Sequence, residues 1–302
     1  MIDGIINVYK EKGYTSFDVV AKLRGILKQK KIGHTGTLDP MAEGVLIVCL
    51  GKATKLADLL ISSTKEYKAF MQLGLKTDTE DVTGKVLETN DAWKNLNEDD
   101  IIKEINSFIG SYSQLPPMYS AIKKEGKKLY EYARAGIEVE REKRDVEIIS
   151  IDNITIELPY VHFDVKCSKG TYIRSLCRDI GDNLGCGACL SGLLRSELHG
   201  MYVEDALKLS DIETLRNEDR LYDYIIPMDL LLSDYKRLDI KPQAAKLLSN
   251  GNKLKTYSFY TSVGSDGKYK NALYRIYDDD KLMALYRYDE KEDIFIPFKM
   301  LL

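Results

Sequence analysis

The sequence lacks the features of membrane and secreted proteins. No apolar run approaches the ~18 residues that a transmembrane helix requires. The first residues do not show the basic, apolar and small-residue regions of a secretory signal. The five cysteines are odd in number and scattered from Cys49 to Cys189, which indicates reduced thiols rather than disulfides. These absences predict a cytoplasmic protein that does not associate with a membrane.

Metal-binding and nucleotide-binding motifs are also missing. The three histidines show no close paired spacing. Cys186 and Cys189 have no second cysteine pair at close spacing, so buried structural thiols are favoured over a zinc site. Gly44 and Gly51 are separated by six residues, whereas a phosphate-binding loop needs four and a Ser or Thr after its lysine.

One acid stands out in "GHTGTLDPMAEGVL", residues 33–46. Asp39 lies between a glycine-containing turn and an apolar run at 44–51 that predicts a core strand. Because burying an unpaired charge costs several kcal/mol, this carboxylate must be exposed, partnered or used in chemistry. The sequence offers no Gly-x-Ser-x-Gly nucleophile motif and no second cooperating carboxylate, so a serine hydrolase or a glycosidase is not supported.

The charge distribution leaves the binding partner open. Apolar and charged fractions of 44% and 30% are typical of a globular protein, and the net charge of -3 does not point to nucleic acid. Two stretches are nevertheless rich in lysine and arginine, at residues 22–34 and 123–144. Each is either a solvated helix face or a surface that contacts phosphates.

Hydrophobic periodicity predicts an α+β fold without a regular βαβ alternation. Helices are predicted at residues 15–29, 54–62, 98–109 and 171–185, and strands at 44–51, 65–75 and 145–167. From about residue 232 the chain changes to short strands and turns, including Gly-Ser-Asp-Gly at 264–267, which indicates a separate small β-rich domain.

In helix 171–185, the apolar stripe leaves Arg174 and Arg178 together on another face. The chain thus combines one aspartate, a lysine- and arginine-rich stretch that leads to it, several aromatic residues and an arginine on a helix. This combination suits chemistry on a nucleic-acid base. The residues alone do not exclude a structural role for any of them.

Several longer stretches resemble one family. "GHTGTLDPMAEGVL", "KEYKA", "LGLKTDTEDVTGKV", "PPMYSAIKKEGKKLYEYARAGIEVE" and "SKGTYIRSLCRDIGDNLG" are similar, in order and spacing, to the TruB family of tRNA pseudouridine synthases. The resemblance spans residues 3–200. It implies an isomerase that converts the T-loop uridine of tRNA, position 55, to pseudouridine without a cofactor or metal.

The resemblance also implies a domain organisation. Residues 1–231 would form a pseudouridine synthase catalytic domain with a mixed, largely antiparallel sheet, helices and a mobile thumb insertion at about 118–144. Residues 232–302 would form a small β-rich, PUA-like RNA-binding domain.

Three residues match the family's catalytic positions. Asp39 matches the aspartate nucleophile, which acts covalently on the target nucleotide at C1′ of the sugar or C6 of the base. Tyr67 matches the tyrosine that stacks on the flipped uracil. Arg174 matches the arginine that pairs with the aspartate and keeps it ionised and oriented.

Other matches concern substrate binding. His34 matches a histidine that enters the T loop and fills the space of extruded bases. Tyr172 and Leu194 match residues that line the pocket near the base. Lys123 and Lys124 belong to the thumb and are expected to contact phosphates.

The implied partner is tRNA, bound through its T stem-loop and its acceptor end. No obligatory protein partner is expected, and a monomer suffices. Two alternatives remain at this point: a pseudouridine synthase that acts on another RNA, and a noncatalytic tRNA-folding chaperone.

Overall fold

The structure is a computed structural model that describes residues 1–60, 64–260 and 272–302. Its strands are β1 (Gly4–Lys10), β2 (Ile32–Thr35), β3 (Glu43–Leu50), β4 (Lys65–Leu73), β5 (Leu75–Thr77), β6 (Val86–Thr89), β7 (Gly110–Gln114), β8 (Lys123–Lys124), β9 (Lys127–Lys128), β10 (Arg144–Glu157), β11 (Tyr160–Cys167), β12 (Ala188–Leu198), β13 (Met201–Tyr202), β14 (Lys236–Asp239), β15 (Leu254–Lys255), β16 (Leu273–Asp278), β17 (Lys281–Asp289) and β18 (Ile294–Met300).

The α-helices are α1 (Ser16–Leu27), α2 (Ala57–Leu60), α3 (Glu98–Ser107), α4 (Leu129–Arg134), α5 (Ile173–Asn183), α6 (Leu209–Asn217), α7 (Met228–Leu231) and α8 (Pro242–Ser249). Short 3-10 helices cover Gly51–Leu56, Asp91–Asn95, Val203–Asp205, Leu221–Tyr224 and Thr256–Ser258. The predicted turn at 264–267 and the last residues of the predicted helix 54–62 lie outside the described residues.

The large sheet has nine strands and is mixed but mostly antiparallel. Its strand order is β1-β3-β12-β4-β11-β10-β7, with β2 paired to β3 and β13 paired to β12. Only the contact between β3 and β12 is parallel among the pairings of this sheet that the structure describes. The α+β class predicted from the sequence is therefore confirmed.

Strand β3 is buried on both faces. Leu46 and Val48 pack with side chains of α1 and α6, while Val45 and Ile47 pack with Leu60 on the opposite side. A strand covered on both faces has no polar face to solvate, which explains the continuous apolar run from which it was predicted. It provides a rigid base immediately after Asp39.

The other half of the sheet is covered on one face only. Tyr67, Ala69 and Met71 of β4 are buried in a core formed with α3 and α5, whereas Lys68 between them is exposed. This alternation confirms the predicted strand and its apolar face. It also carries Tyr67 to the side of the sheet on which α5 lies.

Helix α1 begins at a capping box. The Thr15 side chain accepts a hydrogen bond from the Asp18 backbone N–H, and the Asp18 side chain accepts one from the Thr15 backbone N–H. Both bonds satisfy amide groups that have no partner within the helix, so the predicted start of this helix is confirmed. The helix ends at Lys28, which adopts a left-handed conformation.

A second sheet of five strands, in the order β14-β16-β17-β18-β15, occupies residues 236–300. This region also contains α8, which was missed because only Ala244 and Leu248 of its eight residues are buried and give little periodic signal. Leu56, Leu232, Leu285 and Leu301 form a shared apolar cluster between the two sheets. The domain boundary at residue 232 stays a prediction.

The predicted thumb, residues 118–144, contains a small hairpin of β8 and β9 followed by α4. All five cysteines are buried and free, as favoured from the sequence. Among the described helices, none is both long and apolar enough to cross a membrane.

Candidate active site

The loop that carries Asp39 joins β2 to β3 and is fixed on both sides of that residue. The Leu38 backbone N–H donates to Ser16 Oγ at 2.9 Å. The Gly13 N–H donates to the carbonyl of Pro40 at 2.8 Å. Lys10 Nζ donates to the carbonyl of Ala42 at 2.5 Å. These bonds hold the Asp39 backbone at a defined place above the sheet.

Lys10, at the end of β1, has no solvent exposure. Burial lowers the pKa of this lysine to about 8, although Asp39 and Glu43 attract its charge and act in the opposite direction. The buried ammonium is compensated by loop carbonyls, and so it fixes the loop rather than reaching a substrate. Sequence reasoning missed it, because a lysine at the end of a strand gives no pattern signal.

Arg174 pairs with Asp39. Its Nε lies 2.9 Å from Asp39 Oδ2, and the arginine side chain is 5% exposed against 37% for the aspartate. Nη1 donates to the carbonyl of Thr79 and Nη2 to the carbonyl of Tyr119, each at 2.8 Å. The guanidinium is therefore fixed, and it orients a carboxylate that remains partly accessible.

Asp81 completes the charge balance around this arginine. Its Oδ2 lies 3.9 Å from Arg174 Nη1, and its side chain is 6% exposed. Oδ1 accepts hydrogen bonds from the Thr79 hydroxyl and the Thr83 backbone N–H, each at 2.9 Å. Sequence reasoning did not single out Asp81, although this residue lies in the quoted stretch "LGLKTDTEDVTGKV". The Thr-Asp-Thr composition of that stretch was the available signal for a polar network.

Arg178, one turn along α5, forms a second network beside the first. It pairs with Glu80 and Asp179, and its Nη2 donates to the carbonyl of Leu115 at 3.0 Å. Burial and these two acids act in opposite directions on the pKa of Arg178, and the net effect raises it. The bond from Arg178 to Leu115 and the bond from Arg174 to Tyr119 attach residues 115–119, where the thumb begins, to α5.

A cavity of about 400 Å³ opens in front of Asp39, within the size range of small-molecule sites. Tyr67, Tyr172, Arg174 and Leu193 line it together with Asp39. Further lining residues come from the loop before Asp39, from β4, from the thumb, from the turn before α5 and from the first residue of α5: Gly36, Thr37, Leu38, Lys65, Tyr119, Ser120, Ala121, Tyr130, Lys169, Gly170, Thr171 and Ile173.

The role of Leu194 near the base stays a prediction, but the structure places its neighbour at the cavity. Leu193, not Leu194, is among the residues that line the cavity. Neighbouring residues of a strand point to opposite faces, so a shift of one position in β12 exchanges the cavity face for the other face. The sequence motif located this strand but could not fix which leucine faces the site.

The two tyrosines are held differently. Burial raises the pKa of Tyr67 to about 12, so its phenol is neutral at physiological pH. Tyr172 precedes α5, and its backbone is held by the Gln114 side chain, which donates to its carbonyl at 3.0 Å and accepts from its N–H at 2.8 Å. Burial also raises the pKa of the Tyr172 phenol. Both rings face the cavity as uncharged surfaces suited to stacking.

His34, Lys123 and Lys124 do not line the cavity. His34 lies in β2 opposite Val48, and its Nδ1 is buried without a hydrogen-bond partner in the part of the chain that the structure describes. Burial, aided by the nearby charge of Arg195, lowers the pKa of His34. Lys123 and Lys124 lie in the thumb hairpin, where Lys124 Nζ donates to the carbonyl of Glu140 at 2.5 Å.

The arrangement supports nucleophilic chemistry by a carboxylate. Among the described residues, no three His, Cys, Asp or Glu side chains form a group that could hold a metal ion. The site instead combines one accessible carboxylate oriented by an arginine with aromatic walls. This set can accept a planar base and present a nucleophile to it.

Two family models match the chain. Residues 24–173 match the N-terminal domain of the TruB family pseudouridylate synthases. Residues 174–233 match the C-terminal domain of tRNA pseudouridylate synthase B. Asp39, Tyr67 and Tyr172 lie within the first match, and Arg174 and Leu193 lie within the second.

The chain is similar to curated proteins over almost its whole length. It is 48% identical to a tRNA pseudouridine synthase B of Clostridium tetani over 94% of this chain and 95% of that protein. It is also 48% identical to the same kind of protein of Lachnoclostridium phytofermentans over 100% of both chains.

Solved structures agree in fold. A Cbf5-Nop10-Gar1 complex contains a chain with a TM-score of 0.73 and 30% identity, covering 99% of this chain and 85% of that one. A chain in an H/ACA RNP bound to a substrate RNA containing 2′-deoxyuridine has a TM-score of 0.70 and 27% identity, with the same coverages.

Proposed function

The chain belongs to the TruB family of pseudouridylate synthases, and we propose that it converts the T-loop uridine of tRNA, position 55, to pseudouridine. The observation that carries this proposal is Asp39 itself, oriented by Arg174 and facing a cavity walled by Tyr67 and Tyr172. The curated relatives, named tRNA pseudouridine synthase B, support tRNA as the substrate.

In the proposed reaction the target base leaves the RNA stack and enters the cavity, where it stacks on Tyr67. Asp39 forms a covalent bond to the nucleotide, at C1′ of the sugar or at C6 of the base, and the glycosidic bond to N1 breaks. The uracil turns and C5 bonds to C1′. The bond to Asp39 breaks, either when C5 displaces the carboxylate from C1′ or by later elimination from C6, and so the free carboxylate is restored. The C5 proton is lost, and N1 takes up a proton. Product and substrate have the same atoms, so no external reactant is consumed.

The residues around Asp39 have separate tasks in this proposal. Arg174 directs the carboxylate into the cavity, and Asp81 balances the charge of Arg174 when the substrate displaces water. Leu193 provides an apolar contact to the base. His34, outside the cavity, would restack in the gap left by the extruded bases and so lower the cost of flipping.

The same proposal assigns tasks to the thumb and to the C-terminal residues. The thumb, with Lys123 and Lys124, would close over the T loop. Residues 232–302 would act as a PUA-like domain on the acceptor end of tRNA. We propose that the protein acts in the cytoplasm as a monomer without an obligatory protein partner; Nop10 and Gar1 belong to the solved complexes of its structural neighbours.

The decisive experiment is incubation with an unmodified tRNA transcript, followed by mapping of every pseudouridine. We expect pseudouridine at position 55 and none in a transcript that carries cytidine there. Modification elsewhere, with the T loop untouched, would favour the synthase of another RNA. Tight tRNA binding without any pseudouridine would favour the noncatalytic chaperone.

The variant Asp39→Asn tests the role of the Asp39 carboxylate. The amide keeps the size of the side chain but cannot act as a nucleophile, so we expect loss of product, by on the order of 10⁴-fold or more, with tRNA affinity retained. Undiminished turnover in this variant would contradict the role assigned to Asp39.

A further inference from the structure

Arg195, in β12, is fully buried and lies behind the cavity. Its Nε donates to the carbonyl of Val45 at 2.7 Å and its Nη2 to the carbonyl of Gly36 at 3.2 Å. Among the described residues its guanidinium forms no ion pair with a carboxylate, and Nη1 has no acceptor at hydrogen-bond geometry. A buried cation with an unused donor is costly, so this donor calls for an acceptor close by.

The sheet register directs this arginine toward Tyr67. Arg195 lies directly opposite Tyr67 across the β12–β4 pair, and on its other side it pairs with Gly44 of β3. A Cβ at Gly44, which has a φ of 100°, would collide with the backbone of Arg195. Glycine there lets β3 and β12 approach closely, and this approach holds the guanidinium below the loop that carries Asp39.

The unused donor faces the cavity wall. Nη1 lies 3.6 Å from the position that a Cβ of Gly36 would occupy, and Gly36 and Tyr67 both line the cavity. The Tyr67 phenol is within electrostatic reach of the guanidinium, which acts to lower the pKa of that phenol against the larger opposing effect of burial. Hydrogen bonds in unliganded sites are often incomplete and tighten when substrate binds.

We propose that Arg195 is a positioning residue for Tyr67, whose phenol oxygen accepts a hydrogen bond from Nη1 that tightens when the uridine fills the cavity. This bond fixes the plane of the ring on which the base stacks and leaves the phenol O–H free to donate to the base. The inference rests on the proposed function, because it assigns Tyr67 to the bound uridine.

A double-mutant cycle tests this role. Single-turnover rates and tRNA dissociation constants are measured for the wild type, Arg195→Lys, Tyr67→Phe and the double variant. We expect Arg195→Lys to lower the single-turnover rate by on the order of 10- to 100-fold with little change in tRNA affinity. In the Tyr67→Phe background, which lacks the phenol oxygen, the same substitution should have almost no further effect.

A merely structural role gives a different result, because Arg195→Lys would then lower the rate equally in both backgrounds. That outcome would overturn the proposal. Lys68→Met is the matched control, since Lys68 is an exposed cation beside Tyr67 on the opposite face of β4. It should leave the single-turnover rate unchanged.

A measurement on the protein without RNA separates this inference from the proposed function. The ¹³Cζ resonance of Tyr67, recognised by its absence in Tyr67→Phe, should shift in Arg195→Lys and not in Lys68→Met. An unmoved resonance would overturn the inference even if pseudouridine forms. A shifted resonance in a protein that forms no pseudouridine would overturn the proposed function alone.

A reciprocal measurement covers the case in which Arg195→Lys does not fold. Tyr67→Phe should shift the side-chain ¹⁵N resonance of one buried arginine. Tyr172→Phe, which removes a phenol from the same cavity, should leave that resonance in place. If Tyr67→Phe moves no arginine resonance, Arg195 does not contact the phenol and the proposal fails.

Discussion

At the scale of single residues, the site depends on which face of a strand a side chain occupies. Tyr67 on β4 and Leu193 on β12 both face the cavity, while their neighbours Lys68 and Leu194 are not among its lining residues. The pairing of these two strands contains irregularities on either side of Leu193, between Leu190 and Gly192 and between Arg195 and Glu197. Such bulges change which residues share a face, so a motif match can be one position off.

The leucine pair therefore provides a sharp prediction. Leu193→Ala removes an apolar contact from the cavity and should lower kcat/KM for tRNA on the order of 10- to 100-fold. Leu194→Ala, the neighbouring substitution of identical chemistry, should lower it much less. Steady-state kinetics of pseudouridine formation, with the melting temperature of each variant as a check on folding, decide between them. Equal losses would show that the cavity face of β12 is assigned wrongly.

At the scale of elements, α5 links Asp39 to the predicted thumb. Arg174 joins Asp39 to the carbonyl of Tyr119, and Arg178 joins Glu80 to the carbonyl of Leu115. Two arginines one turn apart on a helix point in similar directions. Helix α5 can therefore hold residues 115–119, where the thumb begins, at both ends. The thumb beyond it carries its lysines on a short hairpin away from the cavity.

The thumb lysines lead to a prediction about salt dependence. Lys123→Ala combined with Lys124→Ala should weaken tRNA binding and reduce the slope of log Kd against log salt by about 0.7 to 0.9 for each phosphate that the variant no longer neutralises. Binding titrations at several salt concentrations measure this slope. Lys103→Ala, at an exposed position of α3, is the control and should leave it unchanged. The same slope in the thumb variant and the wild type would mean that neither lysine binds a phosphate.

At the scale of the whole molecule, the two sheets are joined by a packed junction. Leu56 from the first part of the chain packs in one cluster with Leu285 of the second sheet and with Leu301, which follows the last strand of that sheet. Lys55 Nζ donates to the carbonyl of Met300 at 2.7 Å, and Lys299 pairs with Asp58 at 2.9 Å. Apolar packing at a junction couples the stability of the parts that it joins.

Coupling across this junction can be measured with the single tryptophan. Trp93 packs against the core of the large sheet, whereas Leu285 lies in the second sheet and has no solvent exposure. Leu285→Ala should lower the free energy of unfolding by about 2–5 kcal/mol and shift the unfolding transition reported by Trp93 fluorescence. Leu247→Ala, at a position 46% exposed, should shift it little. An unshifted Trp93 transition in Leu285→Ala would show that the two parts unfold independently.

Elements with a local signal could be predicted from the chain alone. The alternation of β4, the continuous apolar run of β3 and the cap of α1 are each encoded within a few residues. Asp39 could also be selected, because an acid beside a core strand is conspicuous. The resemblance then supplied the partners of this acid, which periodicity does not give.

Contacts between distant segments determine the rest of the site, and these become visible only in the folded molecule. The roles of Lys10, Asp81 and Arg195 arise from burial and from neighbours on other strands and loops. No local pattern marks Lys10 or Arg195, and the Thr-Asp-Thr stretch around Asp81 does not reveal that its partner is Arg174. The same holds for the choice of Leu193 over Leu194, which follows from strand register and bulges. Secondary structure repeats every 3.6 or 2 residues and can be read along the chain, whereas a site forms where separate elements meet.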